Sequence, residues 1–287
     1  MKIAVTGATG FIGSHFLNQA IIENSILAIR RSSKSKPRIP LIDEPNWLNK
    51  SLSEVLPSDL KGCDILVHFA AHTGNVPYDN IFNCIQWNVL APLALFDSAR
   101  LAGIKRIIVA GSCFEYGRSA EIYQEIPSDA PLLPTNSYAA SKAAASIAFL
   151  QWARQHDVQL EILRIFHAFG EGELGTRLWP SLKRAALAGE DYWMTKGEQI
   201  RDFQPVAAVA AAFLARAKFY AVSNEPAVFN LGTQNPLTIR QFAQIYWDSW
   251  NATGTLLFGK VKYRANEVMR YVPKTDICIN SNSNFLS

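Results

Sequence analysis

The fold class predicted is α/β: a doubly wound parallel sheet with a smaller C-terminal α/β region beside it. Three observations predict it. Short apolar runs alternate with longer stretches of helical period through roughly the first 165 residues, the pattern of parallel strands joined by helical crossovers. A turn with glycine at positions 7, 10 and 13 separates the first strand from the first helix. After about residue 168 the alternation gives way to glycines and irregularly spaced signals. The length, 287 residues, is about twice that of a typical domain and leaves room for both parts.

Each element has its own justification. Lys2–Thr6 carries Ile3, Ala4 and Val5 in an unbroken apolar run, as a buried parallel strand does. Phe11 to about Ile22 is apolar at helical spacing, and Ser25–Arg30 reads as the second strand. Asp64–Phe69 and Lys105–Ala110 are the third and fourth, with a long helix from Ile81 to about Ala102 between them. Pro134 to about His156 is a second long helix, and Val158–Ile165 a further strand. Gly170, Gly172 and Gly175 mark a loop ahead of a helix at Leu178–Ala188. Between Arg201 and Gly232 an alanine-rich helix and the strand Ala-Val-Phe-Asn-Leu return to the sheet, and from Pro236 the signals are mixed. The expected division is therefore residues 1–168 as a dinucleotide-binding domain that 202–235 rejoins, with 169–201 and 236–287 forming a substrate-binding region.

Composition excludes several classes. With 49% hydrophobic and 18% charged residues the chain is too apolar for disorder. No run of 18 apolar residues is present, so a spanning helix is not expected. The N-terminus enters a strand at once, without the apolar core and cleavage site of a secretory signal. Cys63, Cys84, Cys113 and Cys278 are widely separated, which suits neither a zinc site nor a disulfide framework, so no metal is expected and a reducing cytoplasm is. A net charge of +4 is too mild to imply nucleic-acid or membrane binding. His15, His68, His72 and His156 lack ligand spacing and read as structural, while Trp87, Trp152 and Phe149 fall at helical spacing, as core or a helix-pairing face.

The stretch Gly7-Ala8-Thr9-Gly10-Phe11-Ile12-Gly13 has the chemistry of a dinucleotide site. Small residues let the main chain turn tightly and approach a pyrophosphate, which then rests on the amides and positive dipole of a helix N-terminus. The domain is thus expected to be Rossmann-like. Where the second strand ends, an Asp or Glu usually binds the ribose 2′-hydroxyl of NAD, whereas an Arg accommodates the 2′-phosphate of NADP. Here the residues are Arg30, Arg31, Ser32 and Ser33, with Lys34, Lys36 and Arg38 close behind. The guanidiniums favour NADP, with NAD the alternative.

Tyr138 and Lys142 stand four residues apart, on one face of a helix. A fixed cation near a phenol favours phenolate and would bring the tyrosine toward a useful general acid–base range. Ser112 follows the fourth strand, at the carboxyl edge of the sheet where ligands of open α/β sheets bind.

With these residues in view the chain resembles the extended short-chain dehydrogenase/reductase family, in its nucleotide-sugar epimerase/dehydratase branch. The likeness runs from residue 1 to about 276. It is carried by Thr6 to Gly13, His68-Phe69-Ala70-Ala71, Asn88, Ser112 with Tyr116-Gly117, Tyr138 with Lys142, and Arg201-Asp202-Phe203. The resemblance implies that Tyr138 moves the proton of a sugar oxygen and that Ser112 hydrogen-bonds that oxygen. Lys142 would hold the nicotinamide ribose and tune Tyr138. It further implies that Phe69, Ala70, Ala71, Asn88 and Phe166 belong to the cofactor cleft. Arg201, Arg264 and Glu267 would grip the diphosphate and ribose of a nucleoside-diphosphate sugar. A homodimer through the two long helices is also implied, with Ala139, Ala140, Ala143, Ala144 and Ala145 permitting close approach.

Departures from the family narrow the chemistry. Cys113 and Phe114 replace the Asp-Glu pair with which sugar 4,6-dehydratases remove water, so dehydration is not expected. His167 stands where an asparagine is usual and is either a changed substrate contact or a loop histidine. Ala207 and Ala208 replace acidic residues, and the chain ends short of the last strand and helix usual in the family. The expected reaction is NADPH-dependent reduction of a nucleoside-diphosphate 4-keto-(6-deoxy)hexose. A 4-epimerase with retained NAD and a non-catalytic NADP-binding regulatory protein are the alternatives.

Overall fold

The strands of the main sheet are parallel at every junction, which requires a crossover between neighbours and so accounts for the helices on both faces. The computed structural model describes residues 1–72, 74, 76–219, 225–264 and 267–279. In chain order the elements begin with β1 (Lys2–Thr6), α1 (Phe11–Ala20), β2 (Ser25–Arg30), β3 (Asn46–Asn49) and β4 (Ile65–His68). Next come α2 (Ile81–Ile85), a π-helical turn (Gln86–Leu90), α3 (Ala91–Leu101), β5 (Arg106–Ser112), α4 (Ser137–His156) and β6 (Gln159–Ile165). The second half has β7 (His167–Phe169), α5 (Leu178–Ala188), β8 (Tyr192–Met194), β9 (Ile200–Arg201), β10 (Phe203–Pro205), α6 (Val206–Lys218) and β11 (Ala227–Gly232). It closes with β12 (Leu237–Thr238), α7 (Ile239–Ser249), β13 (Leu256–Phe258), β14 (Arg270–Tyr271) and β15 (Ile277–Cys278).

The sheet order is β15-β11-β6-β5-β4-β1-β2-β3. Succession reverses at β1, so the crevice beside its carboxyl end is the switch point where ligands of such sheets bind. Side chains alternate across the sheet. Ile3 and Val5 pack with Phe16 of α1 and Phe213 of α6 on one face. Ala4 packs with Phe96 of α3 and Phe149 and Trp152 of α4 on the other. A separate core joins Phe169, Trp179, Phe203, Phe242, Tyr246 and Trp247, with the Phe203 and Phe242 rings stacked at 3.8 Å.

Several boundaries differ from expectation for local reasons. The helix expected from Pro134 begins at Ser137, because the Asn136 side chain accepts the Ala139 N–H and caps it there. The helix expected from Ile81 to Ala102 is interrupted by the π turn. Strand β3, unforeseen, adds a parallel edge next to β2. Strand β15, expected with the substrate-binding region, pairs with β11 at the other edge of the main sheet. Among the described residues no helix is long and apolar enough to cross a membrane.

Candidate active site

The turn after β1 is built by its glycines. Gly7 takes φ +66°, and a Cβ there would lie 2.5 Å from the Ala70 nitrogen. A Cβ on Gly13 would lie 2.1 Å from the Gly7 oxygen, so α1 can approach the turn only with glycine here. The Gly10 N–H donates to Gly7 O at 2.8 Å and the Ser14 hydroxyl to Gly10 O at 2.8 Å. No side chain caps α1 and no acid lies in its first turn, so its amides stay open to an anion. Thr9, Phe11 and Ile12 are half-buried along the same turn. These features fit a dinucleotide pyrophosphate, with Phe69 and Ala70 half-buried and Ala71 exposed directly beyond β4.

Behind the turn, Thr6 Oγ1 and His68 Nδ1 are hydrogen-bonded at 2.7 Å, and the Ala70 N–H donates to Thr6 Oγ1 at 3.4 Å. Burial, with the Lys142 charge second, pushes the His68 imidazole down to about 3. The histidine is therefore a neutral core group, as expected.

At the end of β2, the Arg30 guanidinium lies over the Trp47 ring, 4.2 Å from its centroid, and donates to Asn49 Oδ1 at 2.8 Å and Ser35 O at 3.3 Å. Arg31 is exposed, and Ser32 Oγ accepts the Lys34 N–H. Two of the partners that hold the Arg30 side chain, Trp47 and Asn49, come from β3.

Ser112, Tyr138 and Lys142 meet where β5 and α4 converge, all buried. The Ser112 hydroxyl lies beside the Tyr138 phenol and favours its ionised form. The expected lowering of Tyr138 by Lys142 is not what the chain alone displays. Burial pushes the phenol above its ordinary value, with Ser112 pulling it back. Lys142, itself pushed down by burial, donates to Ala110 O at 2.8 Å.

The loop before α2 covers the phenol. The Tyr78 ring stacks parallel to Tyr138 at 6.2 Å, and a Cβ on Gly74 would lie 3.7 Å from that ring. Asn88, carried by the π turn, holds the loop. It accepts the His72 N–H at 2.7 Å, donates to His72 O at 3.2 Å, and donates to Ser141 Oγ at 2.9 Å. Ser141 in turn donates to Tyr138 O. His72 pairs with Asp79 at 2.8 Å, a loop fastening that sequence spacing did not reveal.

On the far side of the phenol Phe114 contacts Tyr138, His167 and Tyr271, with ring centroids 6.1–6.5 Å apart. Burial and the Arg201 and Arg177 charges hold His167 well below its ordinary value, and its Nδ1 has no hydrogen-bond partner among the described residues. Burial pushes the Cys113 thiol up to about 12, so it is no nucleophile. Arg201 donates to Glu267 Oε1 at 3.0 Å and Val268 O at 2.7 Å. Arg264 is exposed, its carbonyl accepting the Glu267 N–H, so the structure joins Arg201 to Glu267 and leaves Arg264 at the rim. Phe166 is buried beside Tyr116, 6.4 Å between rings.

Two parts received no role from the sequence: Arg177, which it did not single out, and Asp202, which it named only within Arg201-Asp202-Phe203. Arg177, just before α5, acts electrostatically on His167 and Cys113 and donates to Glu173 Oε1 at 3.2 Å. Asp202 is fully buried and accepts the Thr233 N–H and hydroxyl and the Gln204 amide, tying β10 to the end of β11. Arg177 follows a glycine-containing loop and Asp202 stands beside Arg201, and neither position reveals its partners.

Known proteins are similar to this chain in sequence and fold. Residues 3–232 match the NAD dependent epimerase/dehydratase family. The chain is similar to UDP-glucose 4-epimerase of Lactobacillus helveticus, 28% identical over 269 residues, covering 81% of this chain and 77% of that one. It is also similar to CDP-abequose synthase of Salmonella muenchen, 27% identical over 274 residues, covering 93% and 87%. Among solved structures, UDP-N-acetylglucosamine 4-epimerase from Methanobrevibacter ruminantium M1, in complex with UDP-N-acetylmuramic acid, superposes with TM-score 0.83 at 25% identity over 96% of this chain and 89% of that one. MoeE5 in complex with UDP-glucuronic acid and NAD gives 0.80 at 26% identity over 96% and 90%.

Proposed function

The chain belongs to the NAD dependent epimerase/dehydratase family, and on that premise we propose that it reduces the 4-keto group of a nucleoside-diphosphate 6-deoxyhexose with NADPH. Support comes first from the surroundings of Tyr138. The phenol faces Phe114, with Tyr271 and Tyr78 nearby, and the two residues after Ser112 are a thiol and a phenyl group. An apolar wall suits a sugar methyl group and lacks the carboxylates that removal of water requires. CDP-abequose synthase, similar over 93% of this chain, is named for the synthesis of a nucleotide sugar.

The roles follow from position. Gly7, Gly10 and Gly13 with the α1 amides would hold the pyrophosphate, and Phe69, Ala70, Ala71 and Asn88 the inner cleft. Bound there, NADPH would supply the hydride and leave as NADP. Tyr138 gives its proton to the sugar oxygen, and Ser112 steadies that oxygen by hydrogen bonding. Lys142 would leave the Ala110 carbonyl for the nicotinamide ribose, and its ammonium would then favour loss of the Tyr138 proton. Arg201 and Arg177, each paired with a carboxylate, would meet the diphosphate, with Arg264, Glu267 and His167 completing the substrate side. We place residues 1–168 and 202–235, with β15 added to their sheet, in the dinucleotide domain and 169–201 and 236–276 in the substrate-binding region.

NADP rather than NAD is favoured by Arg30 and Arg31 and by the lack of a carboxylate among residues 28–33. The second reading is a 4-epimerase, favoured by the 4-epimerases among the relatives and by the NAD in MoeE5. A cytoplasmic homodimer goes with either. Ile81, Phe82, Trp87, Leu90 and Ile147 form exposed apolar surface on α2, the π turn and α4, whereas Ala139, Ala143 and Ala145 are already buried within the chain. Titration of the purified protein with NADPH and NADH, and analysis of any nucleotide released on denaturation, decides the reaction. Exchangeable binding with strong NADPH preference supports the reductase; tightly retained NAD overturns it in favour of the epimerase.

A further inference from the structure

We propose that Glu115 is a positioning residue of the proton-transfer site: it fixes the Ser112 main chain and, with Arg164, sets the charge balance around Tyr138 and Lys142. The inference rests on reading Tyr138 as the proton-transfer group, and goes beyond it by adding a buried ion pair to the machinery.

Glu115 ends the single helical turn that follows β5 and is fully buried. Its Oε1 accepts the Ser112 N–H at 2.8 Å; its Oε2 accepts the Ser146 hydroxyl at 2.6 Å and Arg164 Nε at 2.8 Å. The Phe114 N–H meanwhile donates to Ser112 Oγ at 3.3 Å. The carboxylate thus holds the residue whose hydroxyl meets Tyr138. Arg164 is equally buried and donates on to Tyr116 Oη at 2.7 Å and Ser128 O at 2.9 Å, and Tyr116 donates to Asn230 Oδ1 of β11.

Stability alone does not call for this pair, because a buried ion pair is commonly no better for a fold than apolar side chains of the same volume. Its position gives it another use. The groups acting on Tyr138 are Ser112, Cys113 and Glu115 from the β5 turn and Tyr78 from the covering loop. Lys142 has the Ala110 carbonyl, Glu115 as the charge opposing its loss of a proton, and the neutral His68 ring of β4 within its field. Glu115 acts on both the phenol and the ammonium, and Arg164 offsets its charge.

The test uses charge changes of opposite sign. Glu115→Gln leaves the Arg164 charge uncompensated, which favours phenolate and moves Tyr138 ionisation to lower pH. Arg164→Met leaves the carboxylate uncompensated and moves it to higher pH, each by about one pH unit. The double variant returns close to the parent, and Ser146→Ala, which changes no charge, stays there. The readout is the ultraviolet tyrosinate signal of the full chain with oxidised NADP, taken as the difference from the Tyr138→Phe counterpart, beside the pH profile of turnover. Opposite displacements support the proposal. Displacements in one direction, or none in variants that keep the parent's circular dichroism, overturn it. If Glu115→Gln does not fold, the direction given by Arg164→Met decides. Full turnover in Tyr138→Phe would instead remove the premise and is read separately.

Discussion

Replacing Gly13 with alanine puts a methyl carbon 2.1 Å from the Gly7 carbonyl oxygen and 2.8 Å from its carbon. Both are main-chain atoms of a turn closed by the Gly10 N–H at 2.8 Å, so no flexible side chain can give way. Relief requires α1 to move off the turn by about 1 Å, loosening Phe16, Leu17 and Ala20 on the sheet. Overpacking of this kind costs about 1–3 kcal/mol, or a fall in Tm of roughly 3–10 °C for a chain of this size. The displaced amides should also lose dinucleotide affinity by about tenfold or more, since each 1.4 kcal/mol is a factor of ten. Gly62→Ala is the control. Gly62 has φ +75° with nothing within 4 Å of a new Cβ, so it bears only the left-handed penalty of about 1–2 kcal/mol and should leave affinity unchanged. Gly7→Ala, with φ +66° and a 2.5 Å contact, should be worse than either. Thermal melts and calorimetric titration with NADP and NAD give both numbers for each variant. Parent affinity in Gly13→Ala, or equal loss in Gly62→Ala, would refute the reasoning.

Further outcomes can be measured on the same preparations. Tyr138→Phe should lower turnover by about 10²–10⁴-fold with cofactor affinity retained; full activity would favour a non-catalytic role. Asn88→Ala removes three hydrogen bonds and should cost about 1–3 kcal/mol, with faster amide exchange in the loop before α2 as its signature. Arg31→Ala should reduce NADPH affinity several-fold without changing NADH affinity, whereas equal effects on both would count against a 2′-phosphate contact. His68 is held down to about 3 from 6.5, so the unfolded chain binds a proton that the folded chain refuses between those values. Stability from this group is present above about pH 6.5 and is lost as pH falls toward 3, by about 3 kcal/mol between pH 7 and pH 4. His68→Gln should flatten that part of the denaturant-midpoint profile; an unchanged profile would refute the assignment.

What could be read from the sequence depended on how locally each element is determined. Lys2–Thr6, Ser25–Arg30 and Leu178–Ala188 fold over the expected residues. A central parallel strand is buried on both faces and reads as one apolar run, and the α5 helix ends where Gly189 adopts φ +69°. Asn46-Trp47-Leu48-Asn49 carries no such signal, because an edge strand of four residues needs only one covered face and takes its pairing from β2. The π turn was equally hidden. It belongs with Asn88, whose contacts lie across space at His72 and Ser141.

The active site divides along the same line, with a consequence for its electrostatics. Glycine spacing is a local statement about φ and room, so the turn could be identified before any partner was known. A charged side chain reveals nothing of its neighbours. Glu115 looks like any acid in a loop until Arg164, 49 residues on, is found against it, and Arg30 looks free until Trp47 and Asn49 are placed. Tyr138 and Lys142 invited a direct reading, cation beside phenol, yet burial outweighs it and the ammonium is turned to the Ala110 carbonyl. Four residues on a helix set which groups can meet; the dielectric and the competing acceptors set whether they do. On the proposed reading, the phenol would gain acidity once Lys142 is drawn from that carbonyl, and the ribose hydroxyls of a bound nucleotide would be acceptors able to draw it. Cofactor binding and the ionisation of Tyr138 would then be coupled, and tyrosinate titration with and without NADP tests this: equal titration in both would refute it.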